Sequence, residues 1–131
     1  MFYLYLKGRG GNLARILAVD DESVMTDFYT ELLSDAGYEV KTAPDATAAM
    51  ELYYDFKPDL IVLDAEMPGG GGERVFRIAR TVLGSEVPVI FVTGLPERVM
   101  DFALTHSNVR VYKKTVKNEE LLAAIKEMLG A

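Results

Sequence analysis

Apolar residues follow two alternating patterns along this chain. Ile16-Leu17-Ala18-Val19, Leu60-Ile61-Val62-Leu63 and Val89-Ile90-Phe91-Val92 are unbroken apolar runs. Runs of that length, rich in β-branched residues, suit strands buried on both faces of a parallel sheet. Tyr38-Glu39-Val40-Lys41-Thr42 and Val109-Arg110-Val111-Tyr112 carry charges inside the run, as edge strands do. Between the runs the spacing turns helical. Val24, Phe28, Leu32 and Ala36 share one helical face, and Gly37 supplies a stop. Asp45 is placed to cap a second helix carrying Ala49, Met50 and Tyr53, which Lys57-Pro58 ends. Glu73 opens a third, with Val75, Ala79 and Val82 inward and Gly84 at its end. Pro96 suits the first turn of a fourth, with Val99, Met100 and Ala103 inward. Asn118 caps a fifth, with Leu121, Leu122, Ile125 and Met128 inward and Gly130 beyond.

The order is strand then helix, five times over. Such alternation implies an α/β fold, a parallel sheet with right-handed crossovers and helices on both faces. The three apolar strands belong in the centre and the two charged ones at the edges. That predicts a flavodoxin-like (βα)5 sandwich of three layers with strand order 2-1-3-4-5, whose ligand site lies at the carboxyl ends of the first and third strands.

Composition narrows the possibilities. One domain fits 131 residues, and residues 14–131 account for it. Residues 1–13, an aromatic opening followed by Gly8, Gly10 and Gly11, read as an N-terminal extension, disordered or left over from a cloning vector. There are no cysteines, which removes thiolate catalysis and disulfides. The net charge of −6 argues against direct nucleic-acid binding, which needs a basic face. No run is long enough to span a membrane, and no secretory leader is evident, so a cytoplasmic location is expected.

The strand ends carry the chemistry. Asp20-Asp21-Glu22 follows the first, Asp64 the third, Thr93-Gly94 the fourth and Lys113-Lys114 the fifth. Carboxylates gathered at one edge repel one another unless a hard divalent cation joins them, and Mg²⁺ takes carboxylates, waters and phosphate oxygens. A carboxylate is also a nucleophile toward phosphorus. Phosphoryl transfer then needs mainly positioning and charge neutralisation, which a metal ion, a lysine and a hydroxyl supply.

These residues, in this order, resemble the receiver domain of two-component response regulators, chemotaxis-regulator-like in form. The likeness is carried by Asp20-Asp21, by Asp64-Ala65-Glu66-Met67-Pro68-Gly69, by Thr93-Gly94 and by Lys114 with Glu119-Glu120-Leu121-Leu122 after it. It runs from about Ala14 to Leu129. The resemblance implies that Asp64 is phosphorylated by a sensor histidine kinase or a phosphotransfer protein, and that the domain is regulatory rather than an enzyme. It implies Mg²⁺ (Mn²⁺ able to take its place) held by Asp21 directly, Asp20 through water, Asp64 and the backbone carbonyl of Glu66. Lys114 would pair with Asp64 and then with the phosphoryl group, while Thr93 moves toward it beside the small Gly94. A downstream protein partner or an output domain would read the change. Homodimers through the fourth and fifth helices are compatible with the family.

The chain departs from the family's pattern at several points. The usual proline after the lysine is Thr115, which favours a trans bond, since a cis bond without proline costs about 3 kcal/mol. Lys113 competes with Lys114 for the lysine role, and strand alternation lets only one reach the site. The switch aromatic falls on Val111, with Tyr112 next to it on the opposite strand face, so output is expected to use movement of the 94–104 segment instead. Gly69-Gly70-Gly71-Gly72 reads as a costly, mobile loop. Glu66 is placed to affect the lifetime of the phosphoryl group through water or Lys114.

Simpler roles compete with some of these. Asp20 and Asp21 would serve as helix caps were Asp64 absent. His106 reads as a surface residue rather than a phosphoacceptor, and Tyr53, Tyr54 and Phe56 as core and half-buried surface. The competing functions are a phosphorylation-independent scaffold on the same fold and, less favoured, a small phosphatase with an aspartate nucleophile and Glu66 as its second acid. A flavin carrier conflicts with Asp20-Asp21-Glu22, which would repel the cofactor's phosphate.

Overall fold

The structure, a computed structural model, describes residues 13–67, 71–82 and 86–130. Strands β1 (Arg15–Val19), β2 (Glu39–Ala43), β3 (Leu60–Leu63), β4 (Val89–Thr93) and β5 (Val109–Lys113) alternate with helices α1 (Ser23–Asp35), α2 (Ala46–Phe56), α3 (Gly71–Arg77), α4 (Met100–Thr105) and α5 (Asn118–Met128). The strands form one parallel sheet in the order β2-β1-β3-β4-β5. This is the order that the polarity of the runs predicts, with the charged strands at the edges. Two helices are irregular. Beyond Arg77, α3 runs on as a π-helical stretch over Ile78–Val82, and a 3₁₀ turn, Pro96–Arg98, precedes the six-residue α4.

Alternation inside the apolar runs makes the three layers. Leu17, Val19, Ile61, Leu63, Val89 and Phe91 pack with Ala49, Phe56, Val75, Phe76 and Val99, the side of α2, α3 and α4. Ile16, Ala18, Leu60, Val62, Ile90 and Val92 pack with Tyr29, Leu33, Leu121, Ala124 and Ile125, the side of α1 and α5. A strand buried on both faces has no polar side, which is why these runs are continuous. Asp45 caps α2 by accepting from the Ala48 N–H at 2.8 Å, and the helix stops at Lys57 in a left-handed conformation. Gly37, at φ 99°, and Gly130, at φ 75°, follow α1 and α5.

Several helical expectations are corrected. The buried face of α1 is not that of Val24 and Phe28, which are 77% and 37% exposed, but that of Tyr29 and Leu33, with Met25 packed against them. The helix is turned by one residue, about 100°. Its sequence offers two adjacent apolar stripes; packing on the sheet buries Tyr29 and Leu33, with Leu32 and Ala36 of the expected face partly buried beside them. Met100 is 41% exposed, because the 3₁₀ turn shifts the phase and Val99 takes the buried place. Asn118 is the first residue of α5 rather than its cap; Lys117 holds the cap position and makes no side-chain cap. Apart from Leu13, the expected extension lies outside the described residues, as do Pro68-Gly69-Gly70, the Val82 side chain and Gly84.

Gly71 and Gly72 are not part of a loose loop. Both are buried in the first turn of α3. Gly71 has φ +68°, and a methyl group there would overlap the Ala65 carbonyl oxygen. One at Gly72 would overlap the Asp64 carbonyl oxygen. The lack of side chains lets α3 start directly against the backbone that follows β3.

Candidate functional site

Register brings the candidate residues to one edge. Val19 lies opposite Ala43 and Leu63, Leu63 opposite Phe91, and Thr93 opposite Lys113. The ladder continues one residue further: the Asp20 N–H donates to the Ala43 carbonyl (3.1 Å), Asp64 N–H to Val19 (3.0 Å) and Lys114 N–H to Thr93 (3.1 Å). Asp20 and Asp64 extend the alternate series that faces α1 and α5, and Lys114 extends the series of Tyr112 on that side. Thr93 extends Val89 and Phe91 on the other face, as Val111 does on β5.

The acids are tightly grouped. Asp20 and Asp64 are 1% and 2% exposed, and Asp21 is exposed. One carboxylate oxygen from each lies within 4.8 Å of the others. The Glu22 N–H donates to Asp20 Oδ1 at 2.9 Å, and the Glu66 N–H to Asp64 Oδ1 at 3.1 Å. Their other oxygens face Lys114, whose Nζ is 3.3 Å from Asp20 Oδ2 and 3.3 Å from Asp64 Oδ2. The contact with Asp20 is one of charge without hydrogen-bond geometry, so buried Asp20 Oδ2 has no hydrogen-bond partner. Lys114 also donates to Glu22 Oε1 at 3.0 Å.

The site's electrostatics follow from this crowding. Burial pushes the Asp20 carboxyl above its ordinary 3.8, and the Asp64 charge adds to that; the Glu22 N–H and Lys114 oppose it. Burial alone would depress the Lys114 ammonium. The bond to Glu22 and the charges of Asp20 and Asp64 outweigh it, and the net shift is upward. A set of hard carboxylate oxygens, one of them buried and unbonded, fits Mg²⁺ or Mn²⁺.

The remaining candidates separate clearly. Lys113 is exposed and faces away from the acids, so the ambiguity with Lys114 resolves toward Lys114 as the lysine at the site. Thr93 is fully buried, and its Oγ1 accepts from the Leu95 N–H at 3.1 Å. Val111 packs against the same core cluster as Phe102 and Ala103, while Tyr112 packs on the opposite face. A methyl at Gly94 would stand 3.1 Å from Glu66 Oε1, so the Glu66 carboxylate lies over Gly94 and is not among the ion-pair partners of Lys114. All peptide bonds among the described residues are trans, that of Lys114 and Thr115 included. Sequence reading missed the part played by Glu22. Its signal is a third acid at a helix N-terminus that caps nothing.

Comparison with known proteins agrees with this arrangement. The family model of the response regulator receiver domain matches residues 16–126. The DNA-binding response regulator MtrA of Mycobacterium tuberculosis is 31% identical over 116 residues, covering 88% of this chain and 50% of MtrA. A protein-glutamate methylesterase/protein-glutamine glutaminase of Anaeromyxobacter dehalogenans is 39% identical over 103 residues, 76% of this chain and 29% of that protein. The chain thus spans about half the length, or less, of the curated relatives it matches. Among solved structures, a CheY-like receiver domain protein from Methanospirillum hungatei superposes with TM-score 0.80 at 29% identity, covering 91% of this chain and 95% of that one. Together with the acid cluster and its lysine at the carboxyl edge of a 2-1-3-4-5 sheet, these matches establish that the chain belongs to the response regulator receiver domain family of two-component signalling.

Proposed function

We propose that Asp64 is the phosphoacceptor: it takes a phosphoryl group from a histidine of a kinase or phosphotransfer protein in a Mg²⁺-dependent reaction, and a protein partner or output domain reads the result. The observation that carries this reading is the state of the Asp64 carboxylate. It is buried, its Oδ1 is held by the Glu66 N–H, and its Oδ2 faces Lys114 beside the unbonded Asp20 Oδ2. A carboxylate oxygen of Asp64 attacks phosphorus, the new P–O bond forms as the P–N bond to the donor imidazole breaks, and the leaving nitrogen is neutralised by a proton.

Asp20, Asp21, Asp64 and the Glu66 carbonyl would hold Mg²⁺, which when bound neutralises charge on the phosphoryl oxygens. Lys114 would neutralise another share of that charge. Thr93 gives up the Leu95 N–H when its hydroxyl turns to a phosphoryl oxygen. That loosens the start of the segment carrying the 3₁₀ turn and α4, on which Leu95, Met100 and Leu104 are already exposed. Gly94 leaves room for the donor, and Glu66 stands where it can meet attacking water. The expected setting is the cytoplasm, where histidine kinases phosphorylate their partners. Among the described residues no helix is long and apolar enough to cross a membrane.

The test is intact-mass analysis after incubation with acetyl phosphate and Mg²⁺. One phosphoryl adduct is expected, absent when Mg²⁺ is chelated before the donor is added and absent in Asp64→Asn. A folded, Mg²⁺-binding protein that forms no adduct with either acetyl phosphate or phosphohistidine donors would instead favour the phosphorylation-independent scaffold.

A further inference from the structure

The Lys114 ammonium has three protons and three carboxylate neighbours. Two of these, Asp20 Oδ2 and Asp64 Oδ2, stand at 3.3 Å and belong to two of the three carboxylates grouped closely enough to hold a divalent cation. The third, Glu22 Oε1, is closest at 3.0 Å and lies outside the cluster, on a side chain that is 62% exposed. Glu22 occupies the N-cap position of α1 and makes no side-chain cap. Its backbone N–H is committed to Asp20 Oδ1. The side chain makes no hydrogen bond to the helix start. It reaches the ammonium instead.

A divalent cation and the ammonium compete for the same two carboxylates, because like charges repel across a short, partly buried gap. When the cation takes those carboxylates, Lys114 must withdraw without leaving the site, since it is needed again at the phosphoryl group on Asp64. On the acceptor reading above, we infer that Glu22 is a positioning residue that parks Lys114: it holds the ammonium at the rim while Asp20 and Asp64 are handed to the metal ion. Glu22 touches neither the phosphorus nor the nucleophile. It acts through Lys114.

Removing Glu22 leaves the ammonium leaning wholly on Asp20 and Asp64, where it opposes metal entry. Calorimetric titration of Mg²⁺ into the unphosphorylated protein tests this in four forms: the parent, Glu22→Gln, Lys114→Met and the double variant. Because the Glu22 side chain is exposed, the expected loss in Glu22→Gln is modest, about three- to fivefold in Mg²⁺ affinity. Lys114→Met binds Mg²⁺ more tightly than the parent. In the Lys114→Met background, Glu22→Gln changes the affinity less than about twofold, as expected when one residue acts only through another. Acetyl phosphate labelling of Glu22→Gln is slowed at limiting Mg²⁺ and returns to the parent rate at saturating Mg²⁺.

An equal loss in both backgrounds would mean that Glu22 acts as a plain long-range charge, and it overturns the parking role. Unchanged Mg²⁺ affinity in Glu22→Gln overturns it too. Both outcomes leave the acceptor reading intact. By contrast, a parent protein that binds Mg²⁺ yet accepts no phosphoryl group at saturation removes the acceptor reading, while the titration still decides whether Glu22 holds Lys114.

Discussion

The two sides of the sheet edge are built differently. Toward α1 and α5, regular helices of 13 and 11 residues, lie Asp20, Asp64 and Lys114, each just past a strand end, and Glu22, just before α1. Toward α3 and α4 lie Thr93, Gly94 and Glu66, beside a seven-residue helix that continues as a π-helical stretch, a 3₁₀ turn and a six-residue helix. The grouped charges adjoin these regular helices. The Thr93 hydroxyl, whose movement is proposed above, borders short elements with few internal bonds, which open at lower cost. On the proposed function, binding geometry and response are divided between the two faces of one sheet.

The largest test of this division after the Asp64 variant is Lys114→Met. It takes the cation from the regular side, and the rate of Asp64 labelling by acetyl phosphate should fall roughly 10²-fold, the scale for losing one preorganised donor at a phosphoryl centre. A similar fall in Lys113→Met would break the assignment of the two lysines to opposite faces.

Next in size is Gly71→Ala, on the irregular side. It forces a side chain to φ +68° and against the Ala65 carbonyl oxygen. A loss of about 2 kcal/mol in urea unfolding is expected. An unchanged midpoint would show that the start of α3 yields more readily than its packing implies.

The smallest effect has the opposite sign. Burial raises the folded-state pKa of Asp20, so its charged form costs stability at neutral pH. The cost fades as pH falls through that raised value toward 3.8, the value of the unfolded chain. Asp20→Asn should therefore melt higher than the parent at pH 7 without Mg²⁺, by about 1 kcal/mol, and keep the bond from the Glu22 N–H through its amide oxygen. Its advantage should shrink on acidification and on addition of Mg²⁺, which stabilises the parent more. Thermal melts at two pH values, with and without Mg²⁺, check the sign. A variant less stable than the parent would mean that the pairing with Lys114 outweighs the crowding of the acids.

Much of this could be read from the chain alone. The unbroken runs at Ile16, Leu60 and Val89, against the charged runs at Glu39 and Arg110, determined a parallel sheet and its strand order, because a strand with two buried faces cannot carry charge. Asp20, Asp64, Thr93 and a lysine at the ends of their strands determined which edge bears the chemistry. Three matters were left to the tertiary structure. The face of α1 depended on how the helix packs on the sheet, since Val24-Met25 and Phe28-Tyr29 offer apolar residues on adjacent stripes. The choice between Lys113 and Lys114 depended on the register that sets Thr93 opposite Lys113, which sends the next residue toward the acids. The meaning of Gly71 and Gly72 depended on how closely α3 approaches the carbonyl groups of Asp64 and Ala65. Periodicity records which residues shun water. It does not record the rotation of a helix, the offset between strands or the distance between two backbones, and those are decided only when the layers pack.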